Sequence, residues 1–157
     1  FLDKFISFYE NKDWIFDIKP EQGEKTIEAL RDLFRKLGRL PTMEKKTWFL
    51  LWQKKHETLL KKMIPRATIL ANKLECWRAG LSAIFGVPFL GGIKEGVYYG
   101  LPPRLGGLEV YKKFIISGYK KYGGKLVAYL PNERRHIQQA IQLGMDAIIT
   151  DQKKERV

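Results

Sequence analysis

Apolar residues recur along this chain in two alternating rhythms, helical spacing and short runs, and the switches between them lay out its elements. Leu2, Phe5, Ile6 and Tyr9 share one helical face, which predicts a helix over residues 1–11, and Trp14–Ile18 follows as a β-rich run. Ile27, Leu30, Leu33, Phe34 and Leu37 predict a helix over residues 23–37, stopped by Gly38 and Pro41. Strands are then expected at Thr47–Leu51 and at residues 67–71, with a helix over 54–62 between them that Pro65 ends. Residues 74–85 read as a helix, 86–107 as a Gly- and Pro-rich loop with a short strand at 97–99, and 108–122 as a helix closed by Gly123 and Gly124. A strand at 126–129, a helix at 133–143 capped near Gly144, and a strand at 147–150 complete the pattern.

Strands alternating with helices argue for a parallel sheet with helical crossovers. A doubly wound nucleotide-binding sheet needs a glycine-rich turn between its first strand and helix. The glycines of residues 86–107 are not placed that way, so a TIM-type β/α barrel is the better reading. A complete barrel takes roughly 250 residues. The 157 residues here, opening on Phe1, are therefore expected to be an incomplete barrel, a single domain over 1–157 with its N-terminal strands absent. Six strands alone would leave two open edges, so an upstream segment, a second chain or another copy is expected to complete the ring.

Charge narrows the partners. Twenty-nine basic against 17 acidic residues give a net charge of +12, which favours phosphate-bearing partners. Many lysines come in pairs, from Lys45-Lys46 to Lys153-Lys154, in segments read as outer helices. A solvated outer face is the ordinary explanation, an anionic membrane surface the next; no nucleic-acid motif is present. Cys76 is the one cysteine, which excludes an internal disulfide and fits a reducing, cytoplasmic compartment. The longest weakly polar stretch, residues 79–93, is broken by Pro88 and four glycines and is too short to span a bilayer.

The sharpest local feature is the run Trp14-Ile15-Phe16-Asp17-Ile18-Lys19-Pro20. Asp17 and Lys19, two apart on a strand, point the same way, while Phe16 and Ile18 point the other. In a barrel this puts a carboxylate and an ammonium at the mouth, where barrel active sites lie. A hard oxygen ligand beside a cation suits metal-assisted phosphodiester chemistry; a plain strand-end salt bridge fits the same spacing.

Three segments carry a resemblance. Phe16-Asp17-Ile18-Lys19-Pro20 resembles the acidic–Ile–Lys strand of glycerophosphodiester phosphodiesterases, and residues 124–132 are similar to that family's late strand. Residues 140–151, ending Leu143-Gly144-Met145-Asp146-Ala147-Ile148-Ile149-Thr150-Asp151, resemble its closing L-G-V-D-G-I-I-T-D. The resemblance implies hydrolysis of a glycerophosphodiester to an alcohol and glycerol 3-phosphate. It implies a divalent cofactor, Mg²⁺ or Ca²⁺, held by Asp17, with Lys19 stabilising charge on the phosphate. Tyr129 would line the substrate's alcohol or glycerol side, with Trp52 a rim residue after its strand; the substrate would be a glycerophosphodiester or a lysophospholipid. Thr150-Asp151 is expected to be structural.

The departures are as informative. The family's His-Arg-Gly and Glu-x-Asp motifs and its second histidine are not in these residues. His56 and His136 stand among charged neighbours on predicted helices and read as solvated, not as acid and base. Those groups are expected to lie upstream, and the chain alone is expected to be inactive. A catalytically silent barrel fragment, serving as a binding or structural subunit at an anionic surface, is the alternative. Lys73 and Glu75 mark another strand-to-helix junction, where Glu75 suits a helix start. The apolar residues of 86–107, among them Val87, Phe89, Leu90, Ile93, Tyr98, Tyr99 and Leu101, are the expected place for lipid contact or a packed crossover.

Overall fold

The computed structural model describes residues 2–9 and 11–151; the Lys153-Lys154 pair and part of the first predicted helix lie outside them. The chain divides into two compact units, Phe1–Asn72 and Lys73–Val157.

The first unit holds helix α1 (Leu2–Phe8), strand β1 (Trp14–Ile18), helices α2 (Gly23–Lys36) and α3 (Leu40–Lys46), strand β2 (Thr47–Leu51), helix α4 (Lys54–Met63) and strand β3 (Thr68–Ile69). The strands form a parallel sheet in the order β1-β2-β3. Asp17 stands opposite Leu50 and Ile18 opposite Leu51. The period-2 alternation sends Ile18, Phe49 and Leu51 into the core, where they meet Ile27, Leu30 and Phe34, the inward stripe of α2. An aromatic chain ties α1 to this sheet: Phe5 meets Trp14 edge-on at 5.3 Å, Trp14 stacks on Phe16 at 6.2 Å, and Phe16 meets Phe49 at 5.9 Å.

The second unit holds helix α5 (Lys73–Ile84), strands β4 (Tyr98–Leu101), β5 (Arg104–Leu105) and β6 (Leu108–Glu109), helix α6 (Lys113–Lys121), strand β7 (Lys125–Tyr129), helix α7 (Arg134–Gln142) and strand β8 (Ala147–Ile149). Its main sheet is parallel, in the order β4-β7-β8, and β5 and β6 make a separate antiparallel hairpin. The loop before β8 folds back: Asp146 accepts a bond from the Leu126 backbone N–H at 2.8 Å and pairs with Lys125 at 3.1 Å. That contact fixes the start of β7 and holds Lys125 charged to higher pH than usual.

In both parallel sheets each strand lies beside the next parallel strand in the chain. This sequential order is the one that the strands of a β/α barrel follow. Among the described residues the strands make two parallel sheets, one antiparallel hairpin and no closed ring. Three helices end as their sequences predict. At the end of α2, Gly38 takes φ +67°, its N–H bonds Arg35 O and the Arg39 N–H bonds Phe34 O. This is the paired closure that favours glycine, and Gly123 and Gly144 end α6 and α7 the same way.

Three sequence expectations are corrected. Pro41 does not only stop a helix: it stands in the first turn of α3, where a missing N–H costs nothing. Helix α6 begins at Lys113, because residues 104–109 fold as the β5–β6 hairpin around Gly106 and Gly107, both at positive φ. Tyr99 and Leu101 are buried in β4, which at these two positions agrees with the packed-crossover alternative.

The third concerns the histidines: His56 and His136 are 1% and 4% exposed, not solvated. Each sits on the inward stripe of its helix, four residues before buried Leu60 and Ala140 respectively. The charged neighbours project elsewhere; Lys55, for one, pairs with Glu24 of α2 at 3.0 Å. The His56 ring packs against Gly23, so close that a methyl there would overlap the imidazole. Gly23→Ala should therefore lower stability by about 2 kcal/mol in urea unfolding, the cost of overpacking. In Gly23→Ala/His56→Ala that penalty should shrink, giving a non-additive double-mutant cycle. Simple additivity would mean the two do not share the space.

Candidate functional site

Position 17 lies one residue before the end of β1, and Trp52 is the residue after β2. Because Asp17 stands opposite Leu50, continuing the register puts Lys19 opposite Trp52, and all four share the face turned away from the helices. The structure joins three of them. The Trp52 indole Nε1–H donates to Asp17 Oδ1 at 2.8 Å, and the Lys19 ammonium donates to Asp17 Oδ2. Lys19 Nζ also lies 5.4 Å from the Trp52 ring centroid, within range of a cation–π contact. Sequence reasoning named all three residues but did not foresee that Trp52 bonds Asp17.

The cluster is open to solvent: the side chains of Lys19 and Asp17 are 65% and 35% exposed. An ion pair that wet contributes little to folding. What the arrangement supplies is a cation held by one carboxylate oxygen of Asp17 beside an indole wall that the other oxygen holds.

As a metal centre the described residues fall short. A divalent cation of this hard class takes six or more oxygen ligands, and no group of three or more His, Cys, Asp or Glu side chains gathers among them. Asp17 is a single carboxylate whose two oxygens already accept bonds from Trp52 and Lys19.

Tyr129 belongs to the second unit. It ends β7, the central strand of its sheet, half-buried and packed over Gly100 of β4, where an added methyl would stand 3.8 Å from its side chain. The next residue, Leu130, holds φ +50°, the one non-glycine at positive φ among the described residues. Such a conformation is uncommon outside glycine and turns the chain sharply at the strand's end. Its N–H bonds Ile149 O at 2.8 Å, and the Thr150 hydroxyl donates to Pro131 O at 3.4 Å. The Thr150 contact thus anchors the loop after Tyr129 to the end of β8.

The other candidates have structural partners. Glu75, in the first turn of α5, pairs with Lys94 at 2.7 Å. Cys76 is half-buried, and burial, the largest influence on its thiol, pushes it up to about 11. His136 meets Tyr111 edge-on at 6.2 Å, and its Nδ1 lies 3.9 Å from Glu133. Glu133 is held below the usual carboxylate range, chiefly by its bond to Arg135. Two groups missed by the sequence reading, Glu57 and Asn72, bond at 3.1 Å and tie the first turn of α4 to the segment after β3.

Two measurements check this account. Asp17→Ala should cost no more than about 1 kcal/mol in urea unfolding, because the pair is exposed. A collapse of stability would make the cluster a folding element. Iodoacetamide at pH 8 should label Cys76 roughly a hundredfold more slowly than a free thiol, in proportion to its thiolate fraction. Labelling at the free-thiol rate would contradict its burial.

No protein-family model and no curated protein sequence matches the chain. Among solved structures it is similar to the glycerophosphoryl diester phosphodiesterase domain of an uncharacterized protein from Mycobacterium tuberculosis. The TM-score is 0.73 at 10% identity, over 96% of this chain and 59% of that one. The chain thus spans 59% of the length of the domain it matches. At that identity the likeness is one of architecture, and the chain has an α/β fold similar to that of a glycerophosphoryl diester phosphodiesterase domain.

Proposed function

We propose that this chain is the phosphate-holding part of a phosphodiesterase that cleaves glycerophosphodiesters to an alcohol and glycerol 3-phosphate. The observation that carries the reading is the Asp17–Lys19–Trp52 cluster at the C-terminal ends of two neighbouring parallel strands. In β/α barrels that end is where chemistry is done. The similarity of fold to a phosphodiester-cleaving domain points the same way.

In this reading each residue acts through a bond already made. Asp17 holds the Lys19 ammonium in place, so little reorganisation is needed when an anion arrives. Lys19 neutralises the non-bridging phosphate oxygens, where negative charge builds as the diester is attacked, and a fixed cation is worth most there. Trp52, fixed by its indole N–H, offers a flat apolar wall to the glycerol or alcohol group. Tyr129, at the end of β7, is proposed to line the alcohol side of the substrate, a glycerophosphodiester or a lysophospholipid.

General acid–base chemistry needs a titratable group within hydrogen-bond reach of the leaving oxygen. Buried His56 and His136 are packing residues, so the acid and base are proposed to come from outside these residues. The Mg²⁺ or Ca²⁺ that the family resemblance implies would find in Asp17 one ligand from this chain, and no catalytic step is assigned to it. The burial of both histidines also favours a second reading, a silent subunit that binds phosphoesters without cleaving them.

Calorimetry with sn-glycerol 3-phosphate and glycerophosphocholine tests the binding claim. The chain should bind both, and Lys19→Met should weaken binding about tenfold, the loss of one charge-assisted bond. Trp52→Ala should weaken glycerophosphocholine binding as well, with no change in melting temperature. No binding by the unaltered chain would end the phosphoester reading. Turnover of glycerophosphocholine by these residues with Mg²⁺ or Ca²⁺ should be absent; robust turnover would show that the acid and base are within them.

A further inference from the structure

Helix α5 is built inside out. Its buried face carries small residues, Ala79, Gly80, Ser82 and Ala83, which let α6 approach closely: Gly80 lies under the Tyr119 hydroxyl and Gly118 under Ala83 and Pro88. Its large apolar residues face outward. Leu74, Trp77, Leu81 and Phe85 recur at three- and four-residue spacing, with Leu74 78% and Phe85 76% exposed. Just beyond the helix, Phe89 and Leu90 are exposed too, and so is Phe114, one turn before Gly118 on α6. Single exposed apolar residues are ordinary, but a contiguous stripe marks a surface that something covers.

The rim identifies the occupant. Exposed Lys73 adjoins Leu74, Arg78 lies beside Trp77 with its guanidinium on Gly91 O at 3.0 Å, and exposed Lys112 and Lys113 precede Phe114. The acidic residue on the helix, Glu75, is already paired with Lys94. A second copy would bring the same cationic rim and a net charge of +12 against this one, which repels. An anionic bilayer attracts the rim and accepts the stripe among its headgroups, with tryptophan suited to the interface. No helix among the described residues is long and apolar enough to cross the membrane, so the contact is one of lying on the surface.

We propose that the outward face of α5, extended by Phe89, Leu90 and Phe114, docks this protein on an anionic phospholipid surface. This moves lipid contact from the glycine-rich segment as a whole to one helix and the turn after it. It rests on the second unit alone and does not depend on the phosphodiesterase reading.

Co-sedimentation with vesicles tests it, using phosphatidylcholine alone and phosphatidylcholine mixed with phosphatidylglycerol. The chain should bind the mixed vesicles and bind phosphatidylcholine alone roughly tenfold more weakly. Leu74→Glu/Leu81→Glu/Phe85→Glu should cut binding to the mixed vesicles at least about tenfold, with melting temperature unchanged because the residues are exposed. Lys112→Glu/Lys113→Glu should also weaken binding and make it less sensitive to salt. Three results would overturn the proposal. One is no binding of the unaltered chain to mixed vesicles; another is full binding by the triple variant. The third is a dimer of the unaltered chain that the triple variant dissolves, without vesicle binding by either.

Discussion

A single hydrogen bond, from the Trp52 indole to the Asp17 carboxylate, fixes how the ends of β1 and β2 present themselves. The parallel register makes it possible, since Asp17 stands opposite Leu50 and the face then continues to Lys19 and Trp52. A slip of one residue would send Asp17 toward Phe34 and the core, where an unpaired carboxylate is costly, and Ile18 toward water. Core packing of Ile18, Phe49 and Leu51 therefore enforces the register, and the register places the cation. The proposed chemistry uses a by-product of how the sheet buries its other face.

Much of this was legible in the sequence for reasons that can be stated. Strand alternation put Asp17 and Lys19 on one side, and helical spacing marked Ile27, Leu30 and Phe34 as inward. Gly38, Gly123 and Gly144 announced helix ends because few other residues accept the backbone that closes them. What escaped was short or long-range. The β5 and β6 strands are two residues each, too brief for a period to show, and α3 carries in its first turn the proline that seemed to forbid it. The Trp52–Asp17 bond joins residues 35 apart, and no local pattern encodes it.

The histidines were misread for a different reason. Neighbours in sequence were taken as neighbours in space, so His56 between Lys55 and Glu57 looked solvated. On a helix the informative neighbours are three and four away, and Leu60 places His56 inside. On α5 the spacing was read as a helix, with no face assigned to the core. Its buried residues turn out to be small, Ala79, Gly80, Ser82 and Ala83. Small-residue faces permit close helix approach, and the bulky face is then left over for another purpose.

The central claim is that Lys19, held by Asp17 beside Trp52, receives a phosphate. Titrating sn-glycerol 3-phosphate while following the Trp52 indole N–H resonance tests it most directly. The account predicts a saturable shift of that resonance that disappears in Lys19→Met. A Trp52 resonance that stays still while the phosphoester binds elsewhere would contradict it.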